Sequence, residues 1–189
     1  MFTRISLLVI GCAVALSNVV LHATVLVPAE FREVVKGADV IAYGRIVETS
    51  AESSGARRRV DTLVTLEVGT YLKGGPGGTL VFRVPGGETG RYRHVFVGAP
   101  QFVPGEEAIV FLNLQPGGEP VVFGLNQGVF RVRLDRTTKR RVVVPAALVG
   151  EGARPQPVVR GAAARRPMAL ETFGAQVQTV LAEAARGAR

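Results

Sequence analysis

The side chains with the most chemical potential lie together in a glycine-rich stretch, PGGETGRYRH, at residues 85–94. Arg91 and Arg93 can each donate paired hydrogen bonds to a carboxylate, phosphate or sulfate. Tyr92 adds a flat ring with a hydroxyl, and His94 adds an imidazole, a mixture typical of loops that recognise partners. The stretch lacks the Gly-Lys-Ser/Thr of a phosphate-binding P-loop, and the composition of residues 91–97 favours β or extended structure over the helix that follows a P-loop. Two interpretations stay open: a binding loop, or a turn that ends a strand and leaves its arginines solvated.

The serines and the cysteine are poorly placed for nucleophilic catalysis, which needs a hydroxyl or thiol beside a positioned base. Outside the first residues of the chain, the serines are Ser50, Ser53 and Ser54, all within a hydrophilic stretch, residues 48–59, that we expect to be a mobile hairpin loop. No Gly-x-Ser-x-Gly motif occurs. The single cysteine, Cys12, belongs to an export signal described below. We therefore predict no catalytic residues.

Carboxylates and imidazoles offer little more. After the export signal His94 is the only imidazole and no thiol is left, so we predict no metal site and no cofactor. A glycan or peptide hydrolase could use two carboxylates among Glu88, Glu106 and Glu107. Adjacent residues of a strand point to opposite faces, so Glu106 and Glu107 do not form that pair. A hydrolase is the last of three functional hypotheses.

Residues 1–23 have the form of a signal peptide: Arg4 supplies the positive charge, residues 5–21 carry no charge, and Leu21-His22-Ala23 offers a cleavage site. A retained anchor and a lipobox at Cys12 are the alternatives. Cleavage after Ala23 would leave 189 − 23 = 166 residues, enough for one domain with a core. We predict export to the periplasm or the extracellular space.

The pattern of apolar residues predicts a mainly β fold. A short helix over residues 28–36 would turn Phe31, Val34 and Val35 to the core. Seven strands follow, at residues 40–47, 60–68, 79–84, 107–114, 121–125, 129–134 and 140–144. Short strands with glycine turns predict a small OB-like barrel or a sandwich over residues 24–148, with a short N-terminal helix and a C-terminal amphipathic helix.

The end of the chain combines a linker and a helix. Residues 149–166 have linker composition, and residues 167–189 form a C-terminal helix. Its apolar stripe consists of Leu170, Phe173, Val177, Val180 and Leu181. Docking of this stripe on the barrel is favoured over binding to a membrane surface, because the polar face holds glutamate and glutamine where lipid headgroups favour lysine and arginine.

The net charge of +8 lies in the C-terminal third. Residues 131–189 hold 12 Lys and Arg against 4 Asp and Glu, so residues 131–166 could bind an anionic polymer or a membrane surface. Nucleic acid ranks below both. Arginine outnumbers lysine 20 to 3, a bias that GC-rich coding produces without any selection for binding.

Four motifs resemble a family of secreted bacterial β-domain proteins, over about residues 24–145: ADVIAYGRIV at 38–47, VTLEV with YLKG at 64–74, FRVPGG at 82–87 and FVPGEEAIVFL at 102–112. That resemblance implies no particular activity. More distantly, the order of these motifs is similar to netrin-like modules, whose OB-type barrel is used by tissue inhibitors of metalloproteinases. Those inhibitors place an N-terminal cysteine on the protease zinc. A chain starting at Thr24 has no such cysteine, so only the barrel is carried over.

The leading hypothesis is an exported, non-enzymatic binding module. It would hold an envelope or secreted macromolecule through barrel loops, with Arg91, Tyr92, Arg93 and His94 as the binding residues. A protease is one partner class, suggested by fold analogy alone. The second hypothesis is binding of an anionic polymer or membrane surface by residues 131–166.

Overall fold

The computed structural model describes residues 29–54, 59–75, 77–145 and 167–187. The expected signal peptide over residues 1–23, with its anchor and lipobox alternatives, and the linker over residues 149–166 lie outside these ranges. Neither of the two helices in the described ranges combines the length and the apolar composition that a membrane span requires.

The secondary structure consists of ten strands between two helices, which confirms the mainly β class with a helix at each end. Helix α1 is Phe31–Gly37 and helix α2 is Leu170–Gly187. The strands are β1 (Val40–Ser54), β2 (Arg59–Lys73), β3 (Thr79–Pro85), β4 (Gly87–Thr89), β5 (Tyr92–His94), β6 (Glu107–Gln115), β7 (Gly118–Val122), β8 (Val129–Leu134), β9 (Arg141–Pro145) and β10 (Met168–Ala169). The three strands beyond the seven expected are β4, β5 and β10, each too short to leave a periodic pattern in the sequence.

Five strands pair into a closed ring in the order β1, β2, β3, β7, β6 and back to β1. All pairings are antiparallel except the one between β3 and β7, which is parallel and is joined at a single register pair, Arg83 with Val121. The OB-like prediction requires five paired strands, and β1 and β2, with 15 residues each, are longer than it implied. Strands β8, β9 and β10 extend the sheet outward from β6.

Strand β6 separates two hydrophobic cores. Ala108, Val110 and Leu112 point into the ring, where they pack with side chains from β1, β2 and β3. Ile109 and Phe111 point to the other face, toward both helices. Residues 108–112 are all fully buried, because successive side chains of a strand alternate between faces and both faces of β6 are covered. This explains why β6 is the most apolar strand of the sequence.

The outer core is built on four phenylalanines, Phe31, Phe111, Phe130 and Phe173, whose ring centroids lie 4.8–6.4 Å apart. Their tilted and edge-to-face contacts are the geometries that aromatic pairs prefer. Phe173, Val177 and Val180 of α2 are buried here, so the C-terminal helix docks on the sheet as predicted.

Helix α1 begins later than expected but buries the expected face. It starts at Phe31 rather than at residue 28. The N-terminus is capped just before Phe31, where the backbone N–H of Glu30 donates a hydrogen bond to the Glu33 carboxylate at 2.8 Å. Val34 and Val35 are buried together with Phe31, as predicted. At the other end, the ammonium of Lys73 donates to the carbonyl oxygens of residues Lys36 and Ala38, which supplies partners for the last helical carbonyls.

The prediction of a mobile loop over residues 48–59 is wrong for the residues described. Residues 48–54 continue β1 and pair with β2, with Thr49 opposite Val64 and Ala51 opposite Thr62. Ser50 and Ser53, which we expected in that loop, therefore lie in a strand. The polar composition of this segment gives little intrinsic β preference, and cross-strand pairing with β2 overrides it.

Other boundaries differ as well: β2 continues to Lys73 instead of ending at residue 68, and α2 begins at Leu170 instead of residue 167. Strand β7 spans Gly118–Val122 instead of residues 121–125, because the tight turn before it returns the chain early, and Leu125 opens a short 3₁₀ turn, Leu125–Gly128. The extended stretch expected over residues 91–97 is a strand only at Tyr92–His94. The chain then leaves the sheet, and residues 95–102 pass along the end of the ring.

Candidate functional site

A cavity of about 460 Å³ opens beside the part of β1 that extends past its pairing with β6. We call residues 47–54 the free arm of β1 and this cavity the arm cleft. The floor of the cleft is formed by side chains of three adjacent strands: Thr49, Ala51, Thr62, Val64 and Val84. One wall is the hairpin formed by β4 and β5, and the facing wall is residues 95–102.

The four predicted binding residues lie on the hairpin of β4 and β5, where Glu88 pairs with Arg93 and Thr89 pairs with Tyr92. All four are exposed. Arg93 and His94 line the arm cleft, whereas Arg91 and Tyr92 lie at the turn of the hairpin and do not line it. The structure thus brings two of the four residues to the cavity and leaves the other two at its outer rim.

The glycines of the stretch have a structural role. Gly86 adopts φ +94°, and a Cβ on it would lie 2.9 Å from the carbonyl oxygen of His94. A Cβ on Gly87 would lie 2.6 Å from the hydroxyl of Thr62. That hydroxyl donates to the carbonyl oxygen of Gly86 at 2.7 Å. The turn interpretation therefore explains the glycines, which hold the hairpin close to β2, but it does not explain the charged residues.

The two arginines of the hairpin form no ion pair with any other described residue. Within the described ranges most other arginines before residue 133 contact a carboxylate, whereas Arg91 and Arg93 contact none. Glu88 lies directly across the hairpin from Arg93, yet no ion pair joins them. His94 points elsewhere: its Nδ1 lies 3.3 Å from the carbonyl oxygen of Val60, a contact in which Nδ1 carries the proton. Two guanidinium groups are left free to bind an anionic group of a ligand.

The rim of the cleft is apolar, a feature that was not predicted from the sequence. Val95, Phe96 and Val97 follow the hairpin directly and are 67%, 44% and 88% exposed. Single exposed apolar side chains are common on protein surfaces, whereas several adjacent ones are typical of an interaction site. The available signal was the run Val-Phe-Val immediately after His94, which we interpreted only as extended structure.

The facing wall is held rigidly on the ring. The Arg131 guanidinium donates to the carboxylate of Glu106 and to the carbonyl oxygen of Gln101, and it lies 4.9 Å from the centroid of the Phe102 ring. The Phe102 ring packs edge-on against Phe82 of the inner core at 5.3 Å. Because this wall is fixed before any ligand arrives, binding in the cleft would not have to order it.

Of the three carboxylates considered for hydrolysis, Glu88 lies apart from the other two. Glu88 lines the arm cleft, whereas Glu106 and Glu107, which we expected to point to opposite faces, both line a different cavity of about 400 Å³. The carboxylate of Glu107 accepts hydrogen bonds from the Tyr43 hydroxyl at 2.6 Å and from the Arg141 guanidinium at 2.9 Å. The hydrogen bond from Arg141, and to a smaller extent the one from Tyr43, lowers the pKa of Glu107 below its ordinary value. A carboxylate held ionised in this way is suited to structure rather than to donating a proton.

The part of the chain that the structure describes brings no three of its His, Cys, Asp and Glu side chains together in a group that could hold a metal ion. Comparison with models of protein families, with curated proteins and with solved structures finds no match for this chain.

Proposed function

We propose that the protein is an exported, non-enzymatic binding module that holds an envelope or secreted macromolecule at the arm cleft. One observation carries the proposal: two arginines that pair with no carboxylate of the described residues lie next to three exposed apolar residues at the rim of a preformed cavity. Apolar contact area flanked by guanidinium groups is typical of protein recognition sites.

The fold supports this reading by analogy. OB-type barrels bind ligands with a strand face and the loops beside it, and the arm cleft has a strand floor and loop walls. A protease belongs among the partner classes to be tested, because the strand ring is the feature that the netrin-like modules would share with this chain.

The test is capture of a partner from native secretions by the purified domain. Replacement of Arg91, Tyr92, Arg93 and His94 by alanine should abolish capture. A matched control replaces Arg133, Arg136 and Arg140 by alanine, because these residues are also exposed cations on a hairpin. If the first variant captures its partner as well as the wild-type protein does, these residues do not form the binding site and the proposal fails.

A second function, binding of an anionic polymer or membrane surface, is supported by the hairpin of β8 and β9. Arg133, Arg136, Lys139 and Arg140 are exposed there, and none forms an ion pair with another described residue. Binding to anionic vesicles should weaken steeply between about 50 and 200 mM salt. The triple arginine variant described above should lose this binding and keep the capture of a protein partner.

Truncation after residue 150 would be a poor test of this second function. It would delete Phe173 and Val177 from the outer core and so destabilise the whole fold. Replacing surface charges leaves both cores intact.

A further inference from the structure

The free arm of β1 presents an unpaired strand edge. Residues 40–45 of β1 pair with β6, and Ile46 exchanges backbone hydrogen bonds with Gly105 and Glu106, each 2.8 Å long. From Val47 onward, the β1 backbone is paired in the described ranges with β2 alone. In an antiparallel pair every second residue directs its N–H and C=O away from the partner strand. The arm therefore exposes several unpaired donors and acceptors along one edge.

This edge borders the arm cleft. Thr49 and Ala51 of the arm lie on the floor of the cleft, and residues 99–102 form the wall across from it. Contacts of Arg131 with Gln101 and of Phe102 with Phe82 fix this wall in position. An extended chain that enters the cleft would meet the open backbone on one side and apolar side chains, including Phe96, on the other.

We propose that the arm cleft binds an extended peptide segment of a partner protein, which adds to the free edge of β1 as one more strand. This inference rests on the proposed function and names the form of its ligand. Strand addition obtains affinity from backbone hydrogen bonds and specificity from alternate side chains. Every second side chain of the peptide would enter the cleft, against Thr49 and Phe96.

The charges around the arm define the peptide further. On the cleft side, Arg93 has no ion-pair partner among the described residues, so one inward side chain of the peptide should be acidic. On the opposite face of the arm, Glu48 and Glu52 are exposed, because side chains alternate with those of Thr49 and Ala51. Glu52 already contacts Arg83 at 3.8 Å, whereas Glu48 forms no ion pair with another described residue, so an outward side chain of the peptide beside Glu48 should be basic.

The same charges argue against a second copy of this chain as the occupant. Antiparallel pairing of two arms in the register centred on Ser50 would place Glu48 of one copy directly opposite Glu52 of the other. Like charges in directly opposed positions destabilise strand pairing, and charged residues at an edge are a common protection against self-association.

The experiment uses a labelled heptapeptide, acetyl-Thr-Val-Lys-Glu-Lys-Val-Thr-amide, with valine and glutamate on one face and lysine on the other. Fluorescence anisotropy with the mature protein should show saturable binding. Two N-methylated forms of the peptide, one blocked at odd and one at even positions, should differ by at least about tenfold in affinity. Only one set of amides can pair with β1, and each lost hydrogen bond has a cost.

Substitutions in the protein complete the test. Arg93→Gln should weaken binding about tenfold, the expected loss for one charge-assisted pair. Arg136→Gln, which removes an exposed cation from the other hairpin, should leave affinity unchanged. Absence of binding, or equal effects of both N-methylated peptides, would overturn the proposal.

Other occupants give distinct results, and each would also overturn the proposal. A dimer that the peptide dissociates identifies a second copy. Binding that occurs only after residues 149–166 are replaced by glycine and serine identifies a segment of the chain itself. If the quadruple alanine variant loses its native partner while the peptide never binds, the inference fails and the proposed function stands. If that variant keeps its partner, the proposed function fails.

Discussion

Tyr43 links two strands of the sheet through a hydrogen bond to a charged side chain. It lies on β1, and its hydroxyl donates to Glu107 of β6, which also holds Arg141 of β9. Burial, and after it the hydrogen bond to the negatively charged Glu107, raises the pKa of Tyr43 to about 12. The phenol therefore keeps its proton well above the ordinary range for tyrosine.

This residue should make stability depend on pH in alkaline solution. The folded protein holds the Tyr43 proton more tightly than the unfolded chain, whose phenol titrates near pH 10. The stabilisation is thus complete below pH 10 and is lost as the pH rises toward 12. We expect the free energy of unfolding to fall by about 1–2 kcal/mol across this window, because solvent screens the half-buried site.

The measurement is urea unfolding at several pH values for the wild-type protein and for Tyr43→Phe. The phenylalanine variant should lose this part of the alkaline dependence. Gln176→Ala is the control, since Gln176 lies on the exposed face of α2 and carries no titratable group, so this variant should keep the wild-type alkaline dependence. Identical profiles for the wild type and Tyr43→Phe would show that the hydrogen bond does not couple folding to the proton.

At the residue scale, composition predicted a turn or binding loop at residues 85–94 but neither the two short strands within it nor its surroundings. Arg93 and His94 are next to each other in sequence and line one cavity. Thr49, Thr62 and Phe102 line it as well, from three separate segments. Only strand pairing brings them together, and that pairing depends on contacts between residues far apart in the sequence.

At the scale of elements, the sequence predicts best those strands whose side chains meet a core. Strand β3 has an apolar residue at every second position because one of its faces is buried, and β6 is an apolar run because both of its faces are buried. The free arm of β1 has no apolar pattern, since its residues depend on β2 for their conformation. The residue pattern therefore predicted the strands that face the inner core, and it was misleading for the free arm of β1.

The C-terminal helix offers the clearest test of an element. Phe173→Ala should lower the free energy of unfolding by about 3–5 kcal/mol, because it removes one of four packed aromatic rings and leaves a cavity between α2 and the sheet. Gln176→Ala, on the exposed face of the same helix, should change it by less than about 0.5 kcal/mol. Chemical denaturation measures both.

Limited proteolysis provides a second readout for the helix. Cleavage within α2 should become faster in Phe173→Ala and not in Gln176→Ala. If both variants unfold at the same denaturant concentration as the wild type, the helix does not contribute to the core.

At the scale of the whole molecule, the ring is closed at its shortest junction by ion pairs. Arg83 of β3 contacts Glu119 of β7 at 2.8 Å and Asp61 of β2 at 3.6 Å, and Glu52 of β1 lies 3.8 Å away. The hydrogen bond that Arg83 donates to the Glu119 carboxylate raises the pKa of Arg83 and lowers that of Glu119. Since β3 and β7 share one register pair only, these side chains add contacts that the backbone does not supply.

Arg83→Met should destabilise the protein by about 2–4 kcal/mol, because it leaves the buried carboxylate of Asp61 with less compensation. Glu52→Gln is the matched control, since it alters the longest and most exposed of the three ion pairs and should cost less than about 1 kcal/mol. Equilibrium unfolding gives both values. In hydrogen exchange, the amides of β7 should lose protection more than those of β9. Equal loss of protection in both strands would show that the substitution does not act at the junction of β3 and β7.

The position of β6 between the two cores has a consequence for how the chain unfolds. Its alternate side chains belong to different cores, so neither core can melt while the other keeps β6 in place. Heat should therefore produce a single sharp transition, with calorimetric and van't Hoff enthalpies in agreement. The amides of β6 should exchange only when the entire molecule opens, which makes this strand the last part of the native state to be lost.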